Sequence, residues 1–277
     1  MGKLRHCQIK QDSGSYLCRA LKFEQISKQK IDSYFSVLTQ IHILKLHDKV
    51  LFPRAVYLSE PNECYIISPL RCSLYQILHS SNQTQLELTL FCKLNILIKL
   101  AQTLHEFHTL QHKSLTHSHL STHNVFVSFP NERVGSYEEA DVCLDGIEMA
   151  DFIKCANMYS TYRNCSVWSA PEILRQPKKI LDPSPSMDVY SFGMMAWEIV
   201  HEAVPFDGNL NLCQQSVLDA DCRPEFIDQI CRPSLQKIIC RCWQENPELR
   251  PPLSEVIRDL KQELSFFRSD KFVDPNN

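Results

Sequence analysis

The chain has 277 residues, 44% hydrophobic and 22% charged, which fits a folded globular protein of one large or two small domains. A net charge of −3 with no long basic run gives nucleic acid or an anionic membrane little electrostatic hold. No apolar stretch approaches the roughly 18 residues of a membrane span.

The 13 cysteines are odd in number and scattered through apolar segments, as at Cys92, Cys143 and Cys240. Secreted proteins of this size pair regularly spaced cysteines, so this pattern predicts reduced, buried thiols and a cytoplasmic location. The start, Met1-Gly2-Lys3-Leu4-Arg5-His6, lacks the apolar core of a signal peptide. His6 stands where a myristoylation signal needs Ser or Thr.

The first part of the chain reads as strands, the clearest being Tyr16–Phe23. Ile31, Phe35, Leu38, Ile41 and Leu44–Leu46 fall near a 3.6-residue period and predict a helix over 31–46. Val50–Tyr57 and Cys64–Ser68 predict strands, followed by a helix through Leu74 and Leu78. Leu90, Leu94, Leu97, Ile98, Ala101, Leu104 and His108 predict a long amphipathic helix. Asn124–Val127 reads as a short buried strand. The polar stretch between Phe129 and Cys143 is predicted to be a flexible surface insertion. Pro177–Pro185 reads as a second loop. Helices are expected from there to about Phe267, with a disordered tail from Asp270.

Several short motifs occur in a fixed order. His117-Ser118-His119-Leu120-Ser121-Thr122-His123-Asn124 resembles the protein-kinase catalytic loop H-R-D-L-x-x-x-N. Asp151-Phe152-Ile153 resembles D-F-G, and Trp168-Ser169-Ala170-Pro171-Glu172 resembles the A-P-E end of the activation segment. Asp188-Val189-Tyr190-Ser191-Phe192-Gly193 resembles the start of the central helix of the large lobe. Cys242-Trp243, Pro247 and Arg250-Pro251 resemble C-W-x-x-x-P-x-x-R-P. The series covers most of the chain and resembles the protein-kinase superfamily. The W-S-A-P-E and C-W forms are most like its tyrosine-kinase-like group.

That resemblance implies an α+β, bilobal kinase-like fold. The β-rich small lobe would run to about residue 69 with a truncated glycine loop. The helical large lobe would cover about 70–268, leaving 269–277 as a tail. It also implies where the chemistry should sit, because phosphoryl transfer is catalysed mostly by positioning and charge stabilisation. Arg19-Ala20-Leu21-Lys22 is similar to V-A-I-K, so Lys22 would address the nucleotide phosphates. Its helix partner, a glutamate in the family, should lie about nine residues before His47, where Leu38 stands. No G-x-G-x-x-G is present, and before Lys22 only Gly2 and Gly14 occur. Ser68 would be the gatekeeper, Ser68-Pro69-Leu70 the hinge, and Phe126 the residue beneath the adenine. From sequence, Phe126 either half-fills that pocket or stacks on the base.

Asn124 and Asp151 match both magnesium ligands. His119 occupies the position of the catalytic aspartate and Ser118 that of the arginine that reads activation-segment phosphates. Switching through Tyr159, Ser160, Thr161 or Tyr162 is therefore not expected by the usual route. Glu172, Arg250, Asp188, His117 and Phe152 match scaffold residues. The chain resembles the family where the fold needs it and departs where transfer needs it. The resemblance so implies a pseudokinase, with at most weak binding of ATP and Mg2+ through Lys22, Ser68, Leu70, Asn124, Phe126 and Asp151. Its partners would be other signalling proteins, an active kinase among them. One rival is a weakly active Ser/Thr or Tyr kinase using His119 or substrate-assisted transfer, and another is a regulatory kinase-like module of a longer multidomain protein. His105, His108, His112, His117, His119 and His123 also crowd one segment in the manner of a zinc site, but no C-x-x-C accompanies them.

Overall fold

The structure is a computed structural model. It describes residues 4–8, 15–22, 35–36, 38–39, 41–43, 45–46, 48–53, 55–59, 63–69, 71–80, 88–110, 114–128, 141–145, 165–176 and 181–270. Leu70, Asp151, Phe152, Ile153, the four activation-segment hydroxyl residues, most of the 129–143 stretch and the tail beyond 270 lie outside them. So does the side chain of Lys22.

Four strands, β1 (Leu4–Gln8), β2 (Ser15–Lys22), β3 (Ala55–Ser59) and β4 (Glu63–Pro69), form an antiparallel sheet in the order β1-β2-β4-β3. The ladder pairs Leu17 with Ser68 and Lys22 with Glu63. The strand expected over Val50–Tyr57 is split in two. Val50 and Leu51 leave the sheet and are buried against a second hairpin, where the Leu51 amide donates to the Leu144 carbonyl at 2.7 Å. The ladder of β3 begins only at Ala55. Pro53 explains the division, since it lacks an N–H for a continuous strand.

In the predicted 31–46 helix the described residues are helical as far as Ile43. Lys45 then takes φ 56, a left-handed conformation that ends it before Leu46. Leu38 and Ile41 are buried while Phe35 and Ile43 face solvent, as a one-sided helix requires.

The helical body is built around α4 (Pro185–His201), which begins with proline at its first turn. Fourteen of its 17 residues are buried, so it is a core helix rather than a surface one. α2 (Leu90–His108) packs beside it and is capped by Thr89, whose hydroxyl accepts from the Cys92 amide. α6 (Pro233–Cys242) and α7 (Leu253–Asp270) close the far side. Shorter helices among the described residues are α1 (Leu74–His79), α3 (Pro171–Arg175) and α5 (Leu210–Gln214). Gly193 is needed where α4 meets α6: a Cβ there would lie 2.9 Å from the Cys242 Cβ and 3.2 Å from the Trp243 amide nitrogen.

Two strands, β5 (Val125–Ser128) and β6 (Asp141–Leu144), form the second hairpin. The expectation that the polar insertion runs to Cys143 is corrected here, because the strand begins at Asp141. Val142, Cys143 and Leu144 are all buried, and burial of that apolar trio fixes the start of the strand. Among the described residues no helix is long and apolar enough to cross a membrane.

Candidate functional site

The loop from Leu115 to Asn124 is held from below by one carboxylate. Asp188, buried in the first turn of α4, accepts from the His117 amide through Oδ2 at 2.7 Å and from the Ser118 amide through Oδ1 at 2.7 Å. Oδ2 also accepts from His108 Nε2 of α2 at 2.9 Å. These bonds stabilise Ser118 at φ 61, a left-handed conformation unfavourable for a side-chain-bearing residue. The buried His117 ring donates from Nε2 to the Asp145 carbonyl at 2.9 Å; a carbonyl only accepts, so Nε2 carries the proton.

Asn124 closes the loop from above. Its Nδ2 donates to the His119 carbonyl at 2.7 Å. That use of the amide nitrogen leaves Oδ1 as the hard oxygen donor of the pair, the type of ligand magnesium prefers.

His119 sits between these supports. Part of it still meets solvent, yet burial, reinforced by the neighbouring imidazoles of His117 and His123, pushes it down to about 4 from 6.5. At neutral pH it is an uncharged ring with no negative charge to offer. His123 is also held below its usual value, first by burial and then by His79.

Phe126 is 4% exposed and clusters with Leu51 and Cys143, while Arg71 Nη1 reaches the Cys143 sulfur at 3.3 Å. Burial raises the Cys143 thiol above its usual range, so it stays protonated. Ser73, the cap of α1, bridges to Phe126 and so fixes that helix beside the hairpin. Ser68 is buried on β4, and the apolar side chain of Leu38 is 6% exposed.

The two long-range anchors are formed. Arg250, with a fully buried side chain, makes a bidentate pair with Glu172, both distances 2.8 Å. It also donates to the carbonyls of Ser186, Gln244 and Glu245 and lies over the Tyr190 ring at 5.0 Å. A family model for protein tyrosine and serine/threonine kinases matches residues 2–260. The chain belongs to that family.

Among its relatives in the kinase family, the chain is 25% identical over 253 residues to the dual specificity protein kinase shkD of Dictyostelium discoideum, covering 86% of this chain and 30% of that protein. It is 25% identical over 247 residues to the serine/threonine-protein kinase CTR1 of Arabidopsis thaliana, covering 88% of this chain and 28% of the relative. A shorter likeness, 25% over 116 residues, is to guanylate cyclase 2G of Mus musculus, covering 38% of this chain and 10% of that protein. The chain thus spans less than a third of the length of each of these relatives.

Two residues of this kinase domain's site were not singled out from sequence. Asp145 follows β6 directly and is 4% exposed. Its amide donates to the Asn124 carbonyl at 2.9 Å, so Asp145 is the residue facing Asn124 across the hairpin. A six-residue slip of the β5–β6 ladder would put Asp151 opposite Asn124. The same slip would put Glu148 where the buried Val142 pairs with Val127, an uncompensated charge in the core. The available signal was an apolar run ended by Asp145-Gly146.

The second is Glu198. Its carboxylate is completely buried and accepts three bonds: from His79 Nε2 of α1 at 2.9 Å, from the Thr122 hydroxyl at 2.9 Å and from Trp168 Nε1 at 2.6 Å. Helix α1, the catalytic-type loop and the end of the activation segment therefore meet on one side chain. His123 covers this network, stacked on Tyr75 at 3.8 Å and edge-on to Trp168 at 5.6 Å. Of the crowded histidines, His108, His117 and His123 thus have separate partners, and His112 lies outside the described residues. Among the described residues no three His, Cys, Asp or Glu side chains gather as a metal centre.

Proposed function

We propose that this chain is a pseudokinase, a kinase-like domain that does not transfer phosphate and acts as a protein-binding scaffold or allosteric regulator in intracellular signalling. The observation that carries the reading is a contrast between the supports of one loop and the residue at its centre. Asp188, Asn124, Glu172 and Arg250 hold the framework as an active kinase would need, while the base position is an uncharged imidazole. Three further departures support it. The sequence has no G-x-G-x-x-G to bring backbone close to a triphosphate, Leu38 is apolar and buried, and Ser118 carries no charge.

In the proposed site, Lys22 addresses phosphate, Ser68 and Leu70 border the adenine, and Phe126 lies beneath it. Packed against Leu51 and Cys143, Phe126 acts as a floor to the pocket. Asn124 supplies one oxygen to magnesium, and Asp151 or Asp145 the carboxylate. When bound, the ion would neutralise phosphate charge. Binding would be weak, because Leu38 offers Lys22 no carboxylate partner and charge contacts to hydrated phosphates are screened. We place the domain in the tyrosine-kinase-like group, in two lobes divided near residue 69, in the cytoplasm. Its partners would be signalling proteins, an active kinase among them.

One observation favours the rival reading of a weakly active protein kinase. A ring with a pKa of about 4 is close in basicity to an aspartate, whose reference value is about 3.9, so proton acceptance alone does not distinguish them. What the ring lacks is negative charge. The test is His119→Asp in the otherwise unchanged domain. Inactivity after the replacement agrees with lesions that act together. Robust transfer would reduce the defect to one residue and overturn the reading of joint lesions.

A further inference from the structure

The end of α4 carries a histidine that the kinase-like site does not use. His201 is stacked on Trp197, one turn earlier, with ring centroids 4.6 Å apart and planes at 15°. Its Nδ1 lies 2.9 Å from the Trp197 carbonyl oxygen, and its Nε2 lies 3.2 Å from the backbone nitrogen of Ile227. A carbonyl can only accept and a backbone amide can only donate. The two contacts together therefore require a proton on Nδ1 and a lone pair on Nε2, which is the neutral ring in one tautomer. Protonation would set a second N–H against the Ile227 N–H.

The ends of the segment 221–231 are held independently, by Arg223 donating to the Trp243 carbonyl at 3.1 Å and by the fully buried Cys231, while the Ile227 bond ties its middle to the helical body. Trp197 Nε1 donates to the Glu225 carbonyl at 2.9 Å. The Phe226 ring lies between His201 and Trp243, at 5.8 and 5.4 Å. The amides of Ile230 and Cys231 both donate to the Ile227 carbonyl, so displacement of Ile227 loosens the turn that follows. Ile227 and Ile230 are exposed, so little apolar burial of their own holds them down.

The charged groups around the ring do not favour its protonation. From α2, Lys93 adds a positive charge, partly answered by Glu202 at 2.7 Å and by the Val200 carbonyl at 3.1 Å. From the segment itself, Glu225 and Asp228 are exposed, and Asp228 accepts from Gln236. Arg223 is paired with Asp221 and Glu245. Burial is the largest influence and lowers His201, the bond to the Trp197 carbonyl works against it, and Lys93 lowers it further.

We propose that His201 is a proton-operated latch: the neutral ring pins the turn at Ile227–Ile230 to the end of α4, and protonation releases that turn. A histidine held below its unfolded value binds fewer protons folded than unfolded. The latch is then fully closed above about pH 6.5 and opens as pH falls below the folded value.

The test is amide hydrogen exchange on the whole chain between pH 7.5 and 5, corrected for the intrinsic rate. The Ile227 amide is compared with that of Leu51, which the Leu144 carbonyl holds in the second hairpin, outside the latch. Protection of Ile227 is expected to fall about tenfold per pH unit once the ring titrates, while Leu51 holds, and His201→Gln should abolish that dependence. Protection of Ile227 that tracks Leu51 throughout, or an equal fall in the variant, would overturn the proposal. If the variant does not fold, the wild-type ring still decides it. Nitrogen chemical shifts at pH 7.5 should show a protonated Nδ1 and an unprotonated Nε2, and the opposite tautomer would refute the latch.

Discussion

His119 stands at the base position of the proposed site, and its environment gives it a measurable pH dependence. Its pKa, pushed down to about 4, lies below the 6.5 of the unfolded ring, so the unfolded chain binds more protons in the interval between. The stability associated with neutral His119 is complete above pH 6.5 and is lost as pH falls toward 4. His123 and His201 are displaced in the same direction and add to the trend. Urea unfolding is therefore expected to show falling stability from pH 7 to pH 5, with a shallower fall in His119→Gln. An equal slope in that variant would show that the ring titrates as it does in the unfolded chain. At Arg250, the guanidinium is fully buried and bound to Glu172 and three carbonyls. Arg250→Ala leaves the Glu172 carboxylate without its partner, and a loss of about 3–5 kcal/mol is expected in denaturant unfolding. An unchanged midpoint would contradict the anchoring role.

Among the elements, those with strong periodicity were legible in the sequence and those set by tertiary contact were not. The 3.6-residue pattern from Leu90 to His108 gives α2 with the bounds expected, since its buried stripe is long enough to be unambiguous. Val50–Tyr57 misled because a run of apolar residues reads as a strand whether it pairs in a sheet or is buried against another hairpin. The start of β6 misled because the polar character of 129–140 hid the short Val142–Leu144 run. Asp145 was passed over for the same reason, while Asp151 drew notice through a motif. Glu198 could not be found from sequence, since nothing local distinguishes a buried carboxylate serving three elements from a surface one. The α4–α6 contact gives the element-scale prediction. Gly193→Ala gains about 0.5–1 kcal/mol of helix preference but pushes a methyl against Cys242 and the Trp243 backbone, which cannot yield easily. Overpacking costs about 1–3 kcal/mol and is expected to win, lowering the denaturant midpoint.

At the scale of the whole molecule, the proposed reading sets the Asp188 and Glu172–Arg250 anchors against an incomplete set of catalytic parts. Nucleotide affinity is expected to be weak, with a Kd on the order of 1 mM or about −4 kcal/mol, and to need magnesium. A thermal-shift titration with ATP, with and without the metal, checks this. Parallel titrations of Lys22→Ala, Asp145→Asn and Asp151→Asn show which groups carry it. Tight binding that survives all three would place the nucleotide in another pose. The central claim is the absence of transfer, and a phosphotransfer assay of the wild-type domain tests it most directly. Purified protein at high concentration is supplied with labelled ATP, magnesium and generic Ser/Thr and Tyr acceptors, beside Asn124→Ala. Incorporation in the wild type at the level of the variant is the expected result, and incorporation that rises with wild-type protein and vanishes in Asn124→Ala would contradict the pseudokinase account.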